Sequence, residues 1–146
     1  MPNAIIVYGS TMGNTETVAN TIEDVFENDG IDVTVANAAD ISPDELMGYD
    51  IILFGSSTWG DGELQDDFIP FYEEVKSLGL EGKKGASFGC GDSNFPNYCS
   101  AVHTLEDCLR DCGVKIVSDP LKIDGDVDAK LEDAEMWAQS VAQAVL

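Results

Sequence analysis

Ile5-Ile6-Val7-Tyr8-Gly9-Ser10-Thr11-Met12-Gly13-Asn14-Thr15 is the stretch from which the rest of the chain can be read. An apolar run enters a loop of small and hydroxylated residues, and a helical pattern follows at once. Val18, Ile22, Val25 and Phe26 recur at helical spacing, and Gly30 sits where a helix stops. A strand, a tight loop and a helix N-terminus in that order form a phosphate site. The first N–H groups of a helix have no internal partner, and the macrodipole places about half a positive charge there. Ser10, Thr11, Asn14 and Thr15 add donors, while Gly9 and Gly13 let the backbone turn and approach a ligand. The same residues would also serve as a plain helix cap that binds nothing.

What the loop lacks narrows the ligand. It has no G-x-x-x-x-G-K-[ST] lysine and no G-x-G-x-x-G dinucleotide fingerprint. No Lys or Arg precedes Lys76, so a phosphate here is held by neutral dipoles.

Outward from the loop, the chain alternates strand and helix. Residues 31–35 alternate apolar and polar, as a half-exposed edge strand does, whereas Ile51-Ile52-Leu53-Phe54 is continuously apolar, as a central parallel strand is. That third strand gives way to a small-residue loop, Gly55-Ser56-Ser57-Thr58, and then to Trp59-Gly60-Asp61-Gly62-Glu63. Asp66 and Asp67 can cap a second helix with Phe68, Phe71, Val75 and Leu78 on its buried face and Pro70 in its first turn. A fourth strand over 85–90 leads into a third loop, from Gly91 to Cys99. A third helix carries Val102, Leu105, Leu109 and Cys112 on one face and stops at Gly113. A fifth strand covers about 114–117, residues 118–125 are irregular or extended, and a last helix repeats from Val127 through Leu131, Ala134, Ala138 and Val141 to Val145.

This alternation predicts an α/β fold: one domain over residues 1–146, a three-layer doubly wound sandwich on a five-stranded parallel sheet. The amphipathic second strand belongs at an edge, which gives the order 2-1-3-4-5, with ligands bound beyond the carboxyl ends of the strands. The unusual loops follow strands one, three and four, so all meet on that edge. They offer a phosphate cradle and aromatic platforms at Trp59 and at Phe95 or Tyr98, a set suited to a planar, singly phosphorylated ligand.

Here the chain resembles the short-chain flavodoxins, and those of sulfate-reducing bacteria most of all. The resemblance runs over essentially the full length. It rests on Ile6-Val7-Tyr8-Gly9-Ser10-Thr11-x-Gly13-Asn14-Thr15-Glu16, on Ser57-Thr58-Trp59-Gly60-Asp61 with Leu64-Gln65-Asp66-Asp67-Phe68, and on Gly89-Cys90-Gly91-Asp92-Ser93. It implies a flavodoxin-like fold, non-covalent FMN, and low-potential one-electron transfer between redox proteins rather than enzymatic turnover. Carried over by position, Ser10, Thr11, Asn14, Thr15 and Thr58 hold the phosphate and ribityl end, with Ser57 among the cofactor-binding positions. Trp59 stacks on one ring face. Gly60 and Asp61 meet the N5 edge, and the Cys90–Gly91–Asp92 backbone with the Cys99 N–H meets the pyrimidine edge. Three departures stand out. Met12 replaces a Ser or Thr, leaving only its N–H for the phosphate. The loop after Trp59 is shorter than in relatives. The outer stacker, commonly Tyr, is Phe95 here, with Tyr98 three residues later. An FMN-dependent quinone or NAD(P)H oxidoreductase on the same fold is the rival reading.

A net charge of −21, from 28 acids against 7 bases, excludes nucleic acid as a partner and favours basic redox proteins, such as cytochromes or reductases, docking at the acidic ligand edge. No apolar run approaches the ~20 residues of a membrane span, and no signal peptide is visible. Cys90, Cys99, Cys108 and Cys112 form no C-x-x-C and read as reduced thiols in a cytoplasmic, monomeric protein with no metal site. Asp124-Gly125-Asp126-Val127-Asp128, with Glu135 at the twelfth position, mimics a calcium loop, but Ala129 stands where that loop needs Gly. His103 is expected at the surface.

Overall fold

The computed structural model describes residues 3–9, 14–59, 63–64, 68–91, 100–124 and 130–145; at 14, 57–59, 63–64, 90–91, 100 and 124 it describes the backbone. The chain runs β1 (Asn3–Gly9), α1 (Asn14–Asn28), β2 (Asp32–Asn37), a 3-10 turn (Pro43–Gly48), β3 (Ile51–Trp59) and β4 (Glu63–Leu64). It continues through α2 (Phe68–Val75), β5 (Lys84–Gly91), α3 (Ser100–Asp111), β6 (Lys115–Ile116), β7 (Leu121–Asp124) and α4 (Leu131–Val145).

The principal sheet is parallel, in the order β2-β1-β3-β5-β6. This is the expected 2-1-3-4-5, since β5 and β6 are the fourth and fifth parallel strands. The apolar runs of β1 and β3 are central because both of their faces are covered. Ala4, Ile6 and Tyr8 face a core shared with α1 and α4, while Ile5 and Val7 face one shared with α2 and α3. On the second face Phe54, Phe68 and Phe71 meet edge to face, with ring centroids 5.4–5.8 Å apart. At the edge, β2 is only partly covered. Helices α1 and α3 are followed by Gly30 and Gly113 at φ 84° and 95°, the left-handed backbone that glycine alone adopts without strain.

The structure corrects the expected elements in two places. First, Gly55–Trp59 is not a loop: β3 continues to Trp59, where β4 turns back to pair Trp59 with Glu63 and Thr58 with Leu64. Small residues stand there because the sheet is tightly packed. A Cβ on Gly55 would enter the Phe88 ring. Second, the fifth strand is in two pieces. β6 pairs with Lys84 and Gly85, and β7 takes the same side of β5 opposite Phe88–Gly91. Pro120 lies between them and has no N–H for the ladder. The Trp137 indole N–H donates to the Asp119 carbonyl at 2.7 Å and pins this jog to α4. Between β2 and β3, Ser42-Pro43 opens a 3-10 turn, where the Glu45 carboxylate accepts the Ser42 N–H at 2.8 Å. Lys83 satisfies the far end of that turn, donating to the Met47 and Tyr49 carbonyls at 3.1 and 2.5 Å.

His103 is exposed, as expected. Among the described residues no helix is long and apolar enough to cross a membrane.

Candidate functional site

The carboxyl ends of β1, β3 and β5 lie side by side on one edge of the sheet. Gly9, the last residue of β1, is level with Ser56, and Ser57 is level with Cys90. Since β1 and β5 flank β3 and neighbouring strands lie about 4.8 Å apart, the ends of β1 and β5 are about 10 Å from each other, within reach of one small ligand. Gly91 closes β5 opposite Asp124 of β7. Ser57, Thr58 and Trp59 extend past the last paired residue of β1, so the backbone of β3 runs beyond the end of β1.

Asn14 opens α1 and Thr15 follows it. Thr15 is fully buried, and its Oγ1 has no hydrogen-bond partner among the described residues. A buried hydroxyl without a partner costs about 1–3 kcal/mol. At the first turn of a helix, beside N–H groups that also lack internal partners, such a donor suits an anion. Residues 1–75 contain sixteen acids and no Lys or Arg, so the anion would be held by hydroxyls, amides and the helix dipole. These donors fit the phosphate of FMN.

Of the other expected site residues, Ser10, Thr11, Met12, Gly13, Gly60, Asp61, Asp92, Phe95, Tyr98 and Cys99 lie outside the described residues. The positions that are described, Asn14, Thr15, Ser57–Trp59 and Cys90–Gly91, all fall on the carboxyl edge. Sequence reasoning gave no role to Tyr8, whose hydroxyl donates to Glu16 Oε2 across the first loop at 2.6 Å. In sequence Tyr8 is one more residue of an apolar run, and Glu16 one more acid at a helix start.

Two other groups of residues lack the chemistry of a site. Cys108, on α3, and Cys112, in the turn just after it, are free and buried; burial pushes both thiols up, Cys108 to about 12, so neither is a ready nucleophile. Asp124 ends a strand where a calcium loop would follow a helix, and residues 125–129 lie outside the described residues.

A parallel doubly wound sheet with a phosphate-type helix terminus at its β1/β3 switch point defines a class, the nucleotide-binding α/β proteins of flavodoxin topology. The family profile described as Flavodoxin matches residues 6–137. The chain is 46% identical to a flavodoxin of Maridesulfovibrio salexigens, over 99% of this chain and 100% of that one. It is 44% identical to a flavodoxin of Nitratidesulfovibrio vulgaris over the same shares. A solved flavodoxin of Streptococcus pneumonia TIGR4 superposes with a TM-score of 0.92 at 31% identity, over 98% of this chain and 99% of its own. The chain belongs to the flavodoxin family, electron-transfer flavoproteins whose fold implies a flavin cofactor.

Proposed function

We propose that this protein carries single electrons at low potential between redox proteins on a non-covalently bound FMN. The observation that carries the reading is the buried, unpartnered Thr15 hydroxyl at the start of α1, in a half of the chain that has no cation. Bound FMN supplies the one-electron chemistry, and the chain's residues hold it. Ser10, Thr11, Asn14, Thr15 and Thr58, with the Met12 and Gly13 amides and Ser57 beside them, take the phosphate and ribityl end. Trp59 covers one ring face and Phe95 the other, with Tyr98 nearby. Gly60 and Asp61 line the N5 edge, while Cys90, Gly91, Asp92 and Cys99 present backbone to the pyrimidine edge.

The same charge that excludes nucleic acid sets the potential and selects the partner. Asp61, Glu63, Asp66 and Asp67 cluster in sequence just beyond the end of β3. At about 10 Å each carboxylate repels an added electron by about 0.4 kcal/mol in water and about 1.7 kcal/mol at an effective dielectric of about 20. Such a field disfavours full reduction and attracts basic proteins. The reconstituted protein is therefore expected to reduce a basic cytochrome at a rate that falls at least about fivefold as salt rises, because the Debye length shrinks from about 30 Å at 0.01 M to about 3 Å at 1 M. Stopped-flow rates across a salt series check this, and a flat profile would count against acidic docking. Catalytic oxidation of NAD(P)H by the purified protein would replace the carrier reading with that of a flavin enzyme.

A further inference from the structure

Tyr8 is the last member of the β1 row that faces α1 and α4, after Ala4 and Ile6, and it is 8% exposed. Its hydroxyl donates to Glu16 Oε2 at 2.6 Å, and Glu16 lies in the first turn of α1. One residue immediately precedes the first loop and the other immediately follows Thr15, so the bond closes residues 9–15 at their base.

The strand side of that closure is already rigid. Tyr8 pairs with Asn37 and Gly55, and the Ala38 N–H donates to the Tyr8 carbonyl at 2.8 Å. On the helix side the first buried apolar residue is Val18, so ahead of it the Tyr8–Glu16 bond ties the opening turn to the sheet. The bond is short, partly buried and made to a carboxyl oxygen, the geometry of the stronger hydrogen bonds. It also persists across the physiological range: burial first, and Glu16 second, push the tyrosine pKa up to about 12, so the donor keeps its proton.

An acid in a first turn is favoured by the helix dipole in any helix. That preference requires no tyrosine, and a carboxylate next to a phosphate dianion is itself unfavourable. We propose that Tyr8 and Glu16 are positioning residues of the phosphate loop. Their bond sets the spacing between the end of β1 and the first N–H groups of α1, and so places the Thr15 hydroxyl. A donor set for a compact dianion works only when held to within a few tenths of an ångström, and supporting hydrogen bonds of this kind provide that restraint. The inference rests on the reading of this loop as a phosphate site.

The test is titration of the apoprotein with FMN and with riboflavin, at one ionic strength, for wild type, Tyr8→Phe, Glu16→Ala, Glu16→Gln and the double variant Tyr8→Phe/Glu16→Ala. Thermal unfolding of each apoprotein is measured alongside. Tyr8→Phe and Glu16→Ala are each expected to weaken FMN about tenfold, with the double variant no worse than either single one, while riboflavin changes by less than about twofold. Glu16→Gln keeps an oxygen that can accept from Tyr8 and should retain most of the affinity for FMN. A preference for FMN over riboflavin that is unchanged in Tyr8→Phe, whatever happens to its stability, would overturn the inference. So would tighter FMN binding by Glu16→Ala, which would show that the carboxylate acts only as a repelling charge. Should Tyr8→Phe fail to fold, the comparison of Glu16→Gln with Glu16→Ala decides the matter. A wild type that holds FMN and riboflavin equally well would overturn the phosphate reading itself, and this inference with it.

Discussion

Replacing Thr15 with valine is expected to move two equilibria in opposite directions. The substitution keeps the β-branched shape and removes a buried hydroxyl that has no partner among the described residues. Removing an unsatisfied polar group from the interior is favourable, so the apoprotein should gain about 1 kcal/mol in denaturant unfolding. The same hydroxyl is proposed to donate to a charged phosphate, a bond worth roughly 1.5–3 kcal/mol, so FMN should bind about 10- to 150-fold more weakly. Riboflavin, which lacks the phosphate, should bind as before. An equal loss for both ligands would place the hydroxyl elsewhere on the flavin. A destabilised apoprotein would show that the hydroxyl already has a partner when no ligand is bound.

Gly89→Ala is expected to be the costlier change for the fold, at about 3 kcal/mol, near the top of the usual range for overpacking. A Cβ at this position would run into the Ser56 carbonyl oxygen and come within 2.5 Å of Val102 Cγ2. Neither neighbour can yield easily. Ser56 is held in the ladder between Gly9 and Gly89, and Val102 is fully buried on α3. For a chain of this length the melting temperature should fall by roughly 10 °C. Flavin affinity should fall with it, because Cys90 and Gly91 follow directly. Gly48→Ala is the control: nothing lies within 4 Å of the added Cβ, and its effect should stay within about 0.5 kcal/mol. A Gly89→Ala protein that melts with wild type would contradict the close packing of β3, β5 and α3.

Residues whose pattern has one physical use are legible in the sequence. The unbroken apolar run of Ile51–Phe54 means burial on both faces, the alternation over 31–35 means an edge, and Gly30 and Gly113 end helices at positive φ. Residues with two uses are not. Gly55 and Ser56 carry loop chemistry in sequence, yet both lie in a strand, where Phe88 leaves no room for a Cβ on Gly55 and Ser56 is fully buried. Leu121–Asp124 follows Pro120 and a polar stretch, and only its pairing with Phe88–Gly91 makes it a strand. At the site, the positions of Asn14, Thr15, Ser57–Trp59 and Cys90–Gly91 followed from topology alone. The bond from Tyr8 to Glu16 depends on which face of β1 meets α1, and no local pattern in sequence records that pairing.

The carboxyl edge of this sheet is proposed to hold a flavin by a single terminal phosphate. The direct measurement is to purify the protein, release its flavin by heat or acid, and identify and count it by chromatography against the protein concentration. FMN is expected, close to one per chain after reconstitution with excess cofactor. FAD or riboflavin as the main species, or an apoprotein that takes up no FMN, would contradict it.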